Sequence, residues 1–133
     1  MKVDRVQCSH RDERGEITDI LAKEEIQFVT LITSAKGAER GHHYHKETIQ
    51  WVYILEGKLK LLTQMPDGPI EETILEKGDL AMTAPLESHA MIALEDSSFM
   101  VFTRGIRGGE EYERDTYRLS NRLEAETPAA SAG

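Results

Sequence analysis

Turn-forming residues punctuate this chain at short intervals: Gly15, Gly37, Gly41, Gly57, Asp67-Gly68-Pro69, Gly78, Pro85, Asp96-Ser97-Ser98 and Gly105. Between them lie runs rich in Ile, Val, Leu, Thr and aromatic residues, at 16–21, 26–34, 49–55, 58–63, 70–75, 80–83, 89–94 and 99–103. Short strands bounded by turns at this spacing predict an all-β sandwich or barrel. No stretch before Gly109 sustains helical periodicity, and no helix separates successive runs as a parallel sheet requires. The sheets are therefore expected to be antiparallel.

A chain of 133 residues is enough for one domain. The expected division is a single domain over 1–118 followed by a flexible tail over 119–133, where Ala, Ser and Pro offer few anchors. Residues 110–118 are heavily charged and read as a solvated face, with a role at the barrel edge or in a dimer contact as the alternative. The 24 acidic residues outnumber the 16 basic ones for a formal charge of -8, so there is no basic footprint for nucleic acid. No run approaches the apolar length of a membrane span. A small-molecule substrate or a protein partner is the better expectation. The single cysteine, Cys8, forms no intrachain disulfide, and the charged start lacks the apolar core of a secretory signal, which together predict a cytoplasmic protein.

Four of the five histidines fall in two windows, His42, His43 and His45 after Gly41, and His89 after Pro85. Residues two apart on a strand share a face, so His43 and His45 can aim both imidazoles at one point. By the same alternation His42 turns away and is expected at an exposed edge, and His10 is expected on the surface. Gln50 follows His45 by five residues, an odd spacing that on a straight strand places it on the opposite face. For Gln50 to join the two imidazoles, the chain must bend or bulge between Lys46 and Ile49. With Gln50 inward, Val52 and Ile54 follow it, and Trp51 and Tyr53 pack on the other face.

The frame around these residues resembles the cupin superfamily. Gly37, His43, His45 and Gly57 match the first cupin motif in type and spacing, with Gln50 in place of its glutamate, and Gly78 and His89 match the second. Within the second motif Leu86 stands where glycine is usual and Ala93 replaces asparagine. The resemblance implies a double-stranded β-helix, a jelly-roll barrel of antiparallel strands, over roughly residues 15 to 104. It also implies a divalent metal ion (zinc, nickel, iron, manganese or copper) held by His43, His45, Gln50 and His89. Gln50 leaves such a site one negative charge short of a two-histidine, one-carboxylate triad, which argues against an Fe(II) dioxygenase.

Two further stretches, 12–15 and 40–46, resemble the sugar-nucleotide 3,4-ketoisomerases and, more distantly, the 3,5-epimerases, and 110–115 resembles the ketoisomerases' C-terminal region. In those enzymes the His-x-His pair is associated with proton transfer rather than with a metal. The ligand set instead is similar to that of the uronate-linearising cupins of pectin breakdown. Both groups work beside a sugar carbonyl. The resemblance thus implies an isomerase or epimerase acting on a carbohydrate, with His43 and His45 catalytic and a noncatalytic sugar-binding module as the alternative. Arg40 is expected to meet a phosphate or carboxylate of the substrate, or else to pair with Glu39 or Glu47. Met91 shares the parity of His89 and is expected to line the cavity. An N-terminal strand free to exchange would suit a homodimer.

Overall fold

The computed structural model describes residues 1–105 and 114–124. Among them there is no α-helix, and hence no helix long and apolar enough to cross a membrane. The twelve strands are β1 (Lys2–Arg5), β2 (His10–Asp12), β3 (Gly15–Ile17), β4 (Phe28–Ser34), β5 (Glu39–Tyr44), β6 (Ile49–Glu56), β7 (Lys58–Gln64), β8 (Ile70–Glu76), β9 (Asp79–Thr83), β10 (Ser88–Ala93), β11 (Ser97–Arg104) and β12 (Tyr117–Arg118). They form two antiparallel five-stranded sheets, in the orders β1-β9-β6-β11-β4 and β12-β5-β10-β7-β8, and a small β2-β3 hairpin. This is the expected all-β architecture of antiparallel sheets.

Alternation along each strand sorts side chains between the inside and the outside. On β7, Leu59 and Leu61 are buried while Lys58 and Lys60 reach Glu76 and Glu72 of β8 on the wet face. Val52 and Ile54 of β6 join Leu59, Leu61, Leu75, Ala81, Ala93, Phe99 and Val101 in the core between the sheets. Trp51 packs on the opposite face, with the Arg104 guanidinium 5.4 Å from its ring. Burying aliphatic side chains of this size stabilises the fold by roughly 1.5–3 kcal/mol each.

The N-terminal strand lies outside the expected runs. β1 pairs with β9 of its own chain, Val3 against Ala81, and Val3 packs on the core while its charged neighbours face outward. At the other end, residues 119–124, assigned by composition to the tail, lie on the outer face of the second sheet. Leu123 is buried there with Leu62 and Ala90, and Leu119 packs beside them. Residues 125–133 lie outside the described residues, as do 110–113 of the acidic stretch.

Candidate functional site

The bend anticipated between Lys46 and Ile49 is present, and it is a crossing from one sheet to the other. β5 ends at Tyr44 in the second sheet and β6 begins at Ile49 in the first, so Gln50 faces inward from the wall opposite His43. The crossing is held by Asp115. Its carboxylate accepts the Lys46 amide at 2.9 Å, the Glu47 amide at 3.0 Å, the Thr48 amide at 2.9 Å and the Thr48 hydroxyl at 2.8 Å. Burial pushes the Asp115 carboxyl up, but these donors outweigh it and hold it below the usual carboxylate range. Asp115 was expected on a solvated face; it is buried because four donors converge on it.

The structure brings the three expected imidazoles together. His43, His45 and His89 are all buried, and the ligand atoms they offer lie within 4.8 Å of one another. The His43 ring centroid is 4.9 Å from that of His45 and 4.7 Å from that of His89. His45 falls one residue beyond the end of β5, so the crossing loop rather than the strand sets its direction. Its Nδ1 lies 2.7 Å from the main-chain carbonyl of Asp115. A carbonyl only accepts, so Nδ1 carries a proton and donates it. The Nδ1 of His89 makes a longer contact of the same kind, 3.4 Å to the Glu87 carbonyl. Burial, reinforced by the neighbouring His45, lowers the His89 pKa to about 4, so this ring is neutral at physiological pH.

His43 and His89 form one side of a cavity of about 250 Å³, with Gln50 and Thr83 on the other. Its interior is aliphatic, made by Val52, Leu61, Leu75, Ala81 and Val101, and Met91 lines it as its parity predicts. Arg40 also lines it. Residues 40 and 43 differ in parity, and a β-bulge reconciles them: His89 pairs with His43 but Ala90 pairs with Gly41, leaving His42 as an extra residue. His42 takes a φ of 57° and Gly41 a φ of 99° to make the bulge. A Cβ on Gly41 would stand 2.7 Å from the His89 carbonyl oxygen, so only glycine allows β5 to lie this close to β10.

Arg40 does not pair with Glu39 or Glu47; its Nε donates to the Ser34 hydroxyl at 2.8 Å and an Nη to the Thr33 carbonyl at 2.9 Å. Arg118, which the sequence did not single out, lies opposite His43 on β12 and lines the same cavity. Glu39 at the rim is engaged with Arg122 and His42, which hold its carboxyl below the usual range.

His42 is not an exposed edge residue. Its Nε2 donates to Glu39 at 3.0 Å and its Nδ1 accepts the Leu123 amide at 3.0 Å, which fastens the C-terminal segment to β5. His10 is exposed, beside Asp12. In the second motif, Leu86 keeps the turn usually made by glycine by adopting a φ of 70°, and its amide donates to the His45 carbonyl at 2.6 Å.

The sequence profile of the Cupin domain matches residues 30–103, more than half of the chain. This chain belongs to the cupin domain family. The comparison with curated proteins gave no match. Among solved structures, a double mutant of the QdtA 3,4-ketoisomerase from Thermoanaerobacterium thermosaccharolyticum, in complex with TDP, is 28% identical. It superposes with a TM-score of 0.68 over 89% of this chain and 86% of its own. A 3,4-ketoisomerase from Helicobacter canadensis is 20% identical, with a TM-score of 0.71 over 86% of this chain and 90% of its own. The dTDP-4-dehydrorhamnose 3,5-epimerase from Sulfolobus tokodaii is 18% identical, with a TM-score of 0.69 over 84% and 72%. The last two share the fold with this cupin.

Proposed function

We propose that this cupin is an isomerase or epimerase that moves a proton on a carbon beside the carbonyl of a sugar. The observation that carries this reading is the convergence of His43, His89 and the Gln50 carboxamide on one cavity that Arg40 and Arg118 also line. Shifting a carbonyl along a sugar requires a base to take the C–H proton, a route for its return, and donors for the enediolate oxygen. His43 is the base in this scheme, with His45 behind it, and the Gln50 amide is the donor facing them. The two arginines receive the anionic part of the substrate, and Met91 packs against its carbon skeleton. The likeness to a ketoisomerase solved with TDP supports a sugar carried on a nucleoside diphosphate.

A divalent ion fits the same residues: three buried imidazoles whose ligand atoms lie close together, two of them with Nδ1 directed at main-chain carbonyls, which orients each ring. His43, His45 and His89 would hold it with Gln50 as a neutral oxygen ligand, and when bound it would polarise the substrate carbonyl as a Lewis acid; with its lone pair given to the ion His43 would not be the base, so this is an alternative to the scheme above. A second copy of the chain is the proposed partner. β4 is an edge strand whose outward Val29 and Leu31 are 59% and 60% exposed, beside Met100 and Phe102 on β11. Light scattering should give twice the 15.0 kDa chain mass.

The deciding experiment incubates the protein with TDP-4-keto-6-deoxyglucose, the compound in complex with a mutant of the QdtA 3,4-ketoisomerase, in D₂O and follows the sugar by NMR. Deuterium should enter at the carbon beside the carbonyl, and His43→Ala should slow this at least about 100-fold. Saturable binding without exchange would instead make the protein a sugar-binding module. Elemental analysis of the untagged protein, beside a His43→Ala, His45→Ala variant, reads metal content separately from turnover.

A further inference from the structure

Asp115 stands 70 residues from His45 in sequence, yet it touches both flanks of the crossing that carries the site. Its main-chain carbonyl is the partner of His45 Nδ1. Its carboxylate takes the amides of Lys46, Glu47 and Thr48, the residues between His45 and the start of β6. One residue thereby fixes the tautomer of the imidazole before the crossing and the path of the chain up to Gln50 after it. The two functions are linked, because the carboxylate that grips the loop also anchors the carbonyl that faces the ring. The hydrogen bonds of the carboxylate to this crossing go to three backbone amides and the Thr48 hydroxyl.

We propose that Asp115 is the positioning residue of the histidine cluster, holding His45 as the Nδ1–H tautomer with Nε2 turned toward His43 and His89, and setting the distance across the sheets to Gln50. A carboxylate is required for this. Three amides and a hydroxyl can donate to its two oxygens, whereas a carboxamide offers one oxygen and turns an NH₂ group toward donors. Asp115→Asn should therefore displace the loop together with the carbonyl, although the substitution is nearly isosteric. Thr48→Val removes one donor and keeps the carboxylate, a milder disturbance of the same grip.

The test observes the ring itself, in full-length protein labelled with ¹⁵N-histidine and freed of metal by chelation, at about pH 8 where imidazoles are neutral. In the wild type, His45 should show a protonated Nδ1 whose proton exchanges slowly with solvent. Asp115→Asn should give a mixture of the two tautomers and at least about tenfold faster Nδ1–H exchange, the loss expected from one broken hydrogen bond. Thr48→Val should keep the tautomer and exchange a few-fold faster, and it decides the matter alone if Asp115→Asn does not fold. A folded Asp115→Asn with unchanged His45 tautomer and exchange, or an unchanged Thr48→Val where only that variant folds, overturns the proposal. A purely structural Asp115 would lower the melting temperature without moving these ring signals. A second measurement rests on the isomerase reading: turnover of TDP-4-keto-6-deoxyglucose by Asp115→Asn should fall in kcat with KM little changed. If the wild type turns over nothing, that reading fails while the ring measurement still decides the role of Asp115.

Discussion

Gly41 is where the fold and the site meet, and replacing it with alanine separates two costs. The first is conformational: a φ of 99° is foreign to an L-residue and costs an alanine about 1–2 kcal/mol. The second is contact. The new methyl group would lie 2.7 Å from the His89 carbonyl oxygen and 3.1 Å from the Ala90 Cα, both backbone atoms that cannot swing aside. Overpacking of this kind adds about 1–3 kcal/mol, for a total of about 2–5 kcal/mol. In a domain of this size that lowers Tm by roughly 10–20 °C. Gly37→Ala is the matched control, since Gly37 has a φ of 90° with nothing within 4 Å of its would-be Cβ, and it should show the first cost only. Urea and thermal denaturation of both variants give the difference. To relieve the contact, β5 must move off β10 at the pair that holds His43 beside His89, so Gly41→Ala should also lose metal binding or turnover more than Gly37→Ala. Equal stability losses in the two variants would refute the close-approach argument, and a destabilised Gly41→Ala with an intact site would refute its link to the histidines.

Leu86→Gly should raise stability by about 0.5–1 kcal/mol, because relief of a φ of 70° exceeds the entropy cost of glycine and the leucine side chain is 46% exposed; a fall in Tm would show that this side chain packs more than its exposure implies. His89, with its pKa lowered to about 4, is neutral when folded, while the unfolded chain takes up a proton below its ordinary 6.5. The resulting stability is whole above about pH 6.5 and is lost as pH falls toward 4, a change of about 3 kcal/mol. Urea midpoints of metal-stripped protein across that window should fall less steeply for His89→Gln, and an unchanged slope would place the effect elsewhere. Glu87→Ala should cost about 1–3 kcal/mol in urea denaturation, since it leaves the ammonium of the half-buried Met1, 2.6 Å away, without this carboxylate; a loss well under about 1 kcal/mol would mean that the ammonium turns to water.

The strands were legible because their signals are local. Turn residues mark their ends, and alternation sorts Leu59 and Leu61 from Lys58 and Lys60 without knowledge of the partner strand. The cluster was legible for a related reason: parity and motif spacing single out His43, His45, Gln50 and His89, and an inward Gln50 demands a bend. Asp115 and Arg118 were not legible. They lie in a charged neighbourhood that reads as solvated, and what draws them inward is pairing with residues some 70 positions away. The bulge at His42 was also missed, since simple alternation sends that ring to solvent and puts Arg40 on the wrong side. β1 was hidden by its charges, which sit on the outside of a strand that contributes little more than Val3 to the core.

The single extra residue in β5 has a consequence for how such a barrel can change its chemistry. Were it drawn into the ladder, with His42 paired to Ala90, every side chain on the N-terminal flank would reverse, sending the guanidinium of Arg40 outward and drawing Gly41 and Glu39 inward. A one-residue shift of register at this position therefore exchanges the charge presented to a ligand while sparing the scaffold, something no substitution at Arg40 itself would do to the residues around it.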